Sequence, residues 1–290
     1  MTLEFLDRFA VRQTWLDAVS DRWQPRVRDA VAKAGRRGAD LLDGVWLGEP
    51  LHPVLTDVPV GAQTAAVALD AVGALTGSKA LARQADGALA VSVAGAVAAA
   101  TTGLSDWRYM RGESRRIAAA HGLLNLSGLA LSVTSLGLRL GGRRGAGRVA
   151  SALGLAVTGL AAHFGGELTF DMGVRVNPTA NMSGPAEFVP VLDEAEVTGT
   201  GLHRVDVEGQ AVLVTRSAAG ELCAIANACS HFGGPLAAGT REGDIVVCPW
   251  HGSRFELCTG KVRGGPAVFP QPRFEARVRD GKIELRRAAG

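Results

Sequence analysis

Three stretches of this chain, Gly87–Leu104, Ile117–Leu138 and Val149–Gly166, contain no Asp, Glu, Lys or Arg. Each approaches the ~20 residues needed to cross the hydrocarbon core of a bilayer. A fourth, Val54–Leu75, has the same length and texture with two Asp inside it. Backbone polar groups in lipid must be satisfied within the segment, so runs of this kind are read as helices. Aromatics make up 5% of a chain that is 47% hydrophobic, leaving Ala, Val and Leu to carry the apolar character. Small residues let helices approach closely in lipid. Polar, Arg-bearing connections separate the runs, as membrane hairpins require, and a water-soluble Ala-rich bundle is the competing reading. The expectation is a four-helix transmembrane domain over residues 49–170, with both ends on one side of the membrane.

Residues 1–48 read as amphipathic helices. Phe5, Phe9, Leu16, Val19 and Trp23 recur near helical spacing, with a break at Pro25 and a continuation through Val27, Val31, Leu41 and Leu42. Such a segment lies on a membrane surface or packs on the rest of the protein. Charges recur through the first fifty residues, so no signal peptide is read there. Lys33, Arg36, Arg37, Arg108, Arg111, Arg115, Arg116 and Arg175 flank one side of the spans, and Lys79, Arg83, Arg139, Arg143, Arg144 and Arg148 the other. The slight excess on the first side favours a cytoplasmic membrane protein with cytoplasmic termini.

Residues 171–186 lack periodicity and read as a linker. From 187 to 290 the pattern alternates apolar and polar residues between Gly and acidic turns, and Asp280-Gly281 marks a hairpin. Acidic and basic groups nearly balance in this part, and no basic stripe with interleaved aromatics occurs, so nucleic acid is not an expected partner. The expected architecture is a multidomain membrane protein: an α-helical four-span bundle followed by an all-β domain.

Within that β region the chain reads Cys229-Ser-His231-Phe-Gly233-Gly234 and then Cys248-Pro-Trp-His251-Gly252-Ser253. Two mixed pairs, each one thiolate and one imidazole, suit a cluster with two chemically different irons. Zinc modules usually keep like ligands together in each pair, so zinc is the weaker reading. The spacing and the Gly-rich flanks resemble the Rieske ferredoxin family over residues 187–288. That resemblance implies a 2Fe–2S cluster with Cys229 and Cys248 on one iron and His231 and His251 on the exposed one. Gly233, Gly234 and Gly252 are expected to give tight turns with N–H groups near the sulfurs, and Ser253 to donate a hydroxyl. Gly264, Gly265, Pro266 and Pro270 resemble the family's proline-bearing loop.

The sequence also departs from the respiratory branch of that family, which carries a further Cys in each cluster loop, joined as a disulfide. Gly233–Gly234 and Pro249–Trp250 stand in those neighbourhoods, and Phe255 stands where that branch has a Tyr. With one donor fewer, the expected potential lies toward the low end of the Rieske range, about −150 mV. The remaining Cys223 and Cys258 are read as buried or half-buried thiols. Rieske domains also occur in oxygenases beside an iron held by two His and a carboxylate. Only His203 is left over in this region, and it reads as an exposed strand residue.

The membrane half is similar to a bacterial four-helix integral membrane family without an established function. The runs Leu51–Gly61, Thr102–Trp107, Ala120–Leu126 and Gly165–Val174 carry the likeness. His52, Asp106, His121, Asn125, His163 and Glu167 all fall near span ends on one membrane face. Ionisable groups in spans are a functional hypothesis by default. His52, His121 and His163 would ligate haem b or another metal, bind a quinone headgroup, or fix helix packing by pairing with Asp57, Asp106 or Glu167. The function expected is a membrane-anchored carrier of single electrons between redox protein partners, with quinone or haem at the membrane domain. The competing readings are an electron-donating part of a membrane oxidase or hydroxylase, and a redox or iron–sulfur sensor.

Overall fold

The computed structural model describes residues 9–288. Contacts divide the chain into two compact units, one built on residues up to Gly35 and Leu51–Val174, the other on Arg36–Pro50 and everything from Arg175 onward. The helices are α1 (Trp15–Lys33), α2 (Gly35–Asp43), α3 (Leu51–Thr76), α4 (Lys79–Trp107), α5 (Gly112–Leu140) and α6 (Arg144–Gly166), the last extended by a π-helical turn at Glu167–Asp171. The strands are β1 (Val189–Asp193), β2 (His203–Val207), β3 (Gln210–Arg216), β4 (Leu222–Ala226), β5 (Thr240–Glu242), β6 (Ile245–Val247), β7 (Arg254–Glu256), β8 (Val262–Gly264), β9 (Arg273–Arg279) and β10 (Lys282–Arg287).

In the first unit, α3, α4, α5 and α6 with its π turn are each long and apolar enough to cross a membrane. They outrun the uncharged stretches because their polar ends also stay helical. The turns between them sit at Gly77, Gly112 and Gly142, all at positive φ, a conformation that costs glycine little. Ser78 caps α4 by accepting the Leu81 N–H at 3.3 Å.

In the described part of the N-terminal segment, one side of α1 packs on helices of its own unit. Leu16, Ser20 and Gln24 form the buried side of α1. Gln24 Nε2 donates to the Trp107 and Met110 carbonyls at 2.8 and 3.0 Å, satisfying acceptors that the end of α4 leaves open. Arg116 grips the Asp17 carboxylate with Nε at 2.9 Å and Nη2 at 2.7 Å. Trp23, expected on the apolar face, is 52% exposed. The expected break at Pro25 is absent: Pro25 lies inside α1 at an exposed position, and the chain turns at Gly35, where φ is +69°. The expected Phe5 position lies outside the described residues.

Contacts between α3 and α5 recur at one sequence separation. His52 and His121, Gln63 and Ser132, and Asp70 and Arg139 are each 69 residues apart, and each pair meets between α3 and α5. Gln63 Nε2 donates to Ser132 Oγ at 3.0 Å. Arg139 donates to Asp70 through Nη1 at 3.2 Å and Nη2 at 2.5 Å, with 2% and 6% of the two side chains exposed. Asp86, Arg144 and Arg148 complete that charged cluster. Two carboxylates of the α3–α4 hairpin, Asp70 and Asp86, thus meet three guanidiniums of the α5–α6 hairpin, Arg139, Arg144 and Arg148.

In the second unit, six antiparallel strands run in the order β1-β10-β9-β4-β3-β2, and four more in the order β5-β6-β7-β8. The β9–β10 hairpin turns at Asp280-Gly281, both at positive φ, as the sequence led us to expect. The β2–β3 hairpin turns the same way at Glu208-Gly209. Both have the two-residue primed geometry that suits the twist of paired strands. Leu213, Ile225, Leu236, Val246, Phe255 and Leu257 form the core between the two sheets, with Cys229 and Cys248 at its edge. Cys223 and Cys258 are not separate thiols as expected. They form a disulfide, Cα atoms 4.5 Å apart, that joins β4 to the turn after β7 and so links the two sheets.

Candidate metal centre

The two Cys-His stretches fold into matching loops. In the first, the Gly233 N–H donates to the Cys229 carbonyl at 2.7 Å and the Cys229 N–H to the Gly234 carbonyl at 2.8 Å. In the second, the Gly252 N–H donates to the Cys248 carbonyl at 3.0 Å and the Cys248 N–H to the Ser253 carbonyl at 2.8 Å. Gly233 and Gly252, each the fourth residue after its Cys, sit at φ +76° and +78°. A Cβ on Gly234 would lie 2.9 Å from Cys248 Sγ, so glycine there lets the loops close on one another.

These loops bring two thiols and two imidazoles together. The rings of His231 and His251 lie 5.1 Å apart between centroids with planes at 84°. The Cys229 thiol donates toward Cys248, which lowers the Cys248 thiol to about 6 against the burial that raises it. Backbone N–H groups of Trp250 and His251 add to that lowering. The same pairing, reinforced by burial, pushes the Cys229 thiol up. The Ser253 hydroxyl and the His231 N–H also point at Cys229 and oppose that rise. Ser253 Oγ accepts the Ala267 N–H at 3.0 Å, which fixes its hydroxyl proton for the sulfur. Two adjacent sulfurs ringed by N–H and O–H donors form an electropositive cradle that suits thiolate ligands of an iron–sulfur centre.

The expectation that both imidazoles are exposed fails for one of them. His231 is 4% exposed, whereas His251 is half-buried beside Trp250, which is 55% exposed. Sequence reasoning also missed a buried brace beneath the first loop. Ser230 Oγ donates to the Phe269 carbonyl at 2.7 Å. Gln271, in the amide orientation its neighbours require, accepts the Ser230 N–H at 2.7 Å and donates to the Ala228 carbonyl at 3.0 Å. Hydroxyl and amide side chains beside a ligand pair were the signal for it. Phe255, in the place of the Tyr, is fully buried in the core between the sheets.

In the membrane unit the structure brings two of the three histidines together. His52 and His121 meet edge to face with centroids 6.3 Å apart. Each Nδ1 lies 2.8 Å from a carbonyl of the neighbouring helix, Ala99 for His52 and Ala161 for His121. Those contacts place the ring proton on Nδ1 and the lone pair on Nε2. Each ring packs on a glycine one turn further along, Gly103 or Gly165, where a Cβ would lie 2.8 or 3.1 Å from Cε1. The Asn125 amide lies 3.1 Å from His121 Nε2. His163 lies against Phe164, ring centroids 5.4 Å apart.

Comparison with known proteins agrees with this division. Residues 48–178 match the family described as "Predicted membrane protein (DUF2231)", and residues 187–275 match the Rieske [2Fe-2S] domain. The chain is 33% identical over 82 residues to ferredoxin CarAc of Metapseudomonas resinovorans, covering 28% of this chain and 77% of that one. It is 39% identical over 81 residues to the ferredoxin component of the naphthalene 1,2-dioxygenase system of Pseudomonas putida, covering 28% and 77%. The solved ferredoxin of carbazole 1,9a-dioxygenase from Nocardioides aromaticivorans IC177 aligns over 36% of this chain and 100% of its own length, with 27% identity and a TM-score of 0.33. The chain belongs to the Rieske [2Fe–2S] family through its C-terminal domain, which follows a domain of the predicted membrane protein family DUF2231.

Proposed function

We propose that this protein is a membrane-anchored one-electron carrier in which Cys229 and Cys248 bind one iron of the 2Fe–2S cluster and His231 and His251 the other. The observation that carries the reading is the pair of matching loops, which place two sulfurs side by side with two imidazoles beside them. Bound there, the cluster supplies reversible one-electron chemistry. The residues around it supply the rest: N–H groups of His231, Trp250 and His251 and the Ser253 hydroxyl favour the thiolates. His231 is shielded, and His251 with exposed Trp250 offers the docking edge for a redox protein. Likeness to ferredoxins named as parts of dioxygenase systems favours an oxygenase or oxidase as the acceptor. Replacing His251 with Ala should abolish the Rieske EPR signal of the reduced protein, and its persistence would refute the ligand set.

A second reading adds a redox role for the membrane unit. His52 and His121, edge to face and each with Nδ1 held by a carbonyl, favour a quinol headgroup as the ligand of this unit. Quinol-dependent reduction of the purified protein, lost in His121→Ala, is the expected outcome. Sharp bands in a reduced-minus-oxidised spectrum would instead assign haem to these histidines. The excess of flanking Arg and Lys supports a cytoplasmic Rieske domain, while the Cys223–Cys258 disulfide suits an oxidising compartment. Labelling of an introduced surface cysteine in intact cells decides the orientation.

A further inference from the structure

The loop Gly264–Pro270 is gripped from two sides within the C-terminal unit. Beside the ligands, Ser253 accepts the Ala267 N–H and Ser230 donates to the Phe269 carbonyl. The other grip comes from residues outside the Rieske match at 187–275. Asp40 Oδ1 accepts the Gly265 N–H at 2.7 Å across a sequence separation of 225. Arg175 donates through Nη1 to the Pro266 carbonyl at 2.8 Å and through Nη2 to the Asp43 carbonyl at 2.7 Å. The packing is close: a Cβ on Gly265 would lie 2.9 Å from Val45 Cγ2 and 3.2 Å from Asp43 Oδ2. Asp43 is 1% exposed, and Arg175 is held at φ +62°, a strained backbone for a residue with a Cβ. Arg175 and Pro50 line a small cleft together with Ser230, His231 and Pro266–Phe269.

We propose that the segment Arg36–Pro50 and Arg175 are a working part of the cluster site, with Asp40 positioning the proline loop and Arg175 setting the potential beside His231. This rests on the ligand reading above. A guanidinium keeps its charge at any accessible pH, and a partly buried charge is poorly screened by salt. Reduction adds one negative charge to the cluster, so a fixed cation in the cleft wall stabilises the reduced state. The Asp40 carboxylate acts in the opposite sense. The two residues therefore move the potential in opposite directions when neutralised, whereas a merely loosened loop would move it in one direction.

The test is a redox titration of the full chain, followed by EPR, for Arg175→Gln, Arg175→Lys and Asp40→Asn. Arg175→Gln should lower the midpoint and Asp40→Asn raise it, each by at least threefold in the one-electron equilibrium, about 28 mV at 59 mV per tenfold. Arg175→Lys keeps the charge but cannot span both carbonyls, and should stay within that margin. Equal midpoints, or shifts of one sign, overturn the assignment to Arg175. The positioning half has a readout that needs no cluster. Asp40→Ala should speed amide exchange of the 262–270 peptide at least tenfold in apo-protein, and unchanged exchange overturns it. Absence of a Rieske signal in the unsubstituted protein would count against the ligand set alone.

Discussion

Gly233 and Gly252 hold the same place in two loops that share no ligand spacing. Each follows its Cys by four residues, donates its N–H to that Cys carbonyl, and sits at positive φ. His231 follows its Cys by two residues and His251 by three, yet the frame beneath them is the same. A side chain at positive φ costs about 1–2 kcal/mol. Gly252→Ala should therefore lower the melting temperature and the iron content per chain, and Gly233→Ala should do likewise. The measurement is calorimetry with iron and sulfide analysis, and unchanged iron in both variants would refute the shared role.

Ser253 joins two functions in one hydroxyl, donating toward Cys229 and accepting from Ala267. Ser253→Ala removes a donor that favours the charged thiolate and leaves the Ala267 N–H without that acceptor. The expected result is a lower midpoint potential together with a loss of about 1–3 kcal/mol in stability. A redox titration that finds the midpoint unmoved would assign Ser253 to the loop structure only.

The ligand loops were legible because Cys, His and Gly with fixed local spacing carry their own chemistry, and the four spans because apolar length is a local property. What the sequence hid is non-local. The disulfide joins cysteines 35 residues apart, and their meeting depends on how β4 packs under the turn after β7. The Asp40–Gly265 bond spans most of the chain. His231 read as exposed because its burial comes from the tertiary fold. The complementary pairs Asp70–Arg139 and Gln63–Ser132 were hidden likewise, because each joins residues 69 apart on different helices.

That complementarity has a measurable consequence. Removing one partner of a buried ion pair leaves a charge uncompensated and costs about 3–5 kcal/mol. Asp70→Asn and Arg139→Gln should each lower the melting temperature of the detergent-solubilised protein sharply. The exchange Asp70→Arg with Arg139→Asp should not recover the loss, because the new guanidinium would face Arg148 and the new carboxylate Asp86.

Asp17 gives the docking of α1 an acid limit. The Arg116 hydrogen bond holds its carboxyl below the ordinary Asp range, outweighing the burial that raises it. A depressed carboxyl contributes stability above its unfolded pKa and loses it as pH falls through the folded value. Protease protection of α1 should thus be constant from neutral pH to about pH 5, the region above an unperturbed Asp, and fall below pH 4. In Asp17→Asn the protection should be weaker at neutral pH and show less change on acidification.

The Cys223–Cys258 bond ties the sheet of β4 to the sheet that carries the second ligand loop. Closing a loop of this size limits the unfolded chain, and such bonds typically contribute about 2–4 kcal/mol. Reduction, or the double substitution Cys223→Ser with Cys258→Ser, should lower the unfolding free energy by a similar amount and the melting temperature with it. The cluster signal should survive, because neither sulfur is a proposed ligand. Alkylation followed by mass spectrometry of protein isolated without reductant reports whether the bond forms in the cell. A thiol at both positions in all molecules would remove it from the native state, while loss of the EPR signal in the double variant would show that the staple is needed to keep the two ligand loops in register.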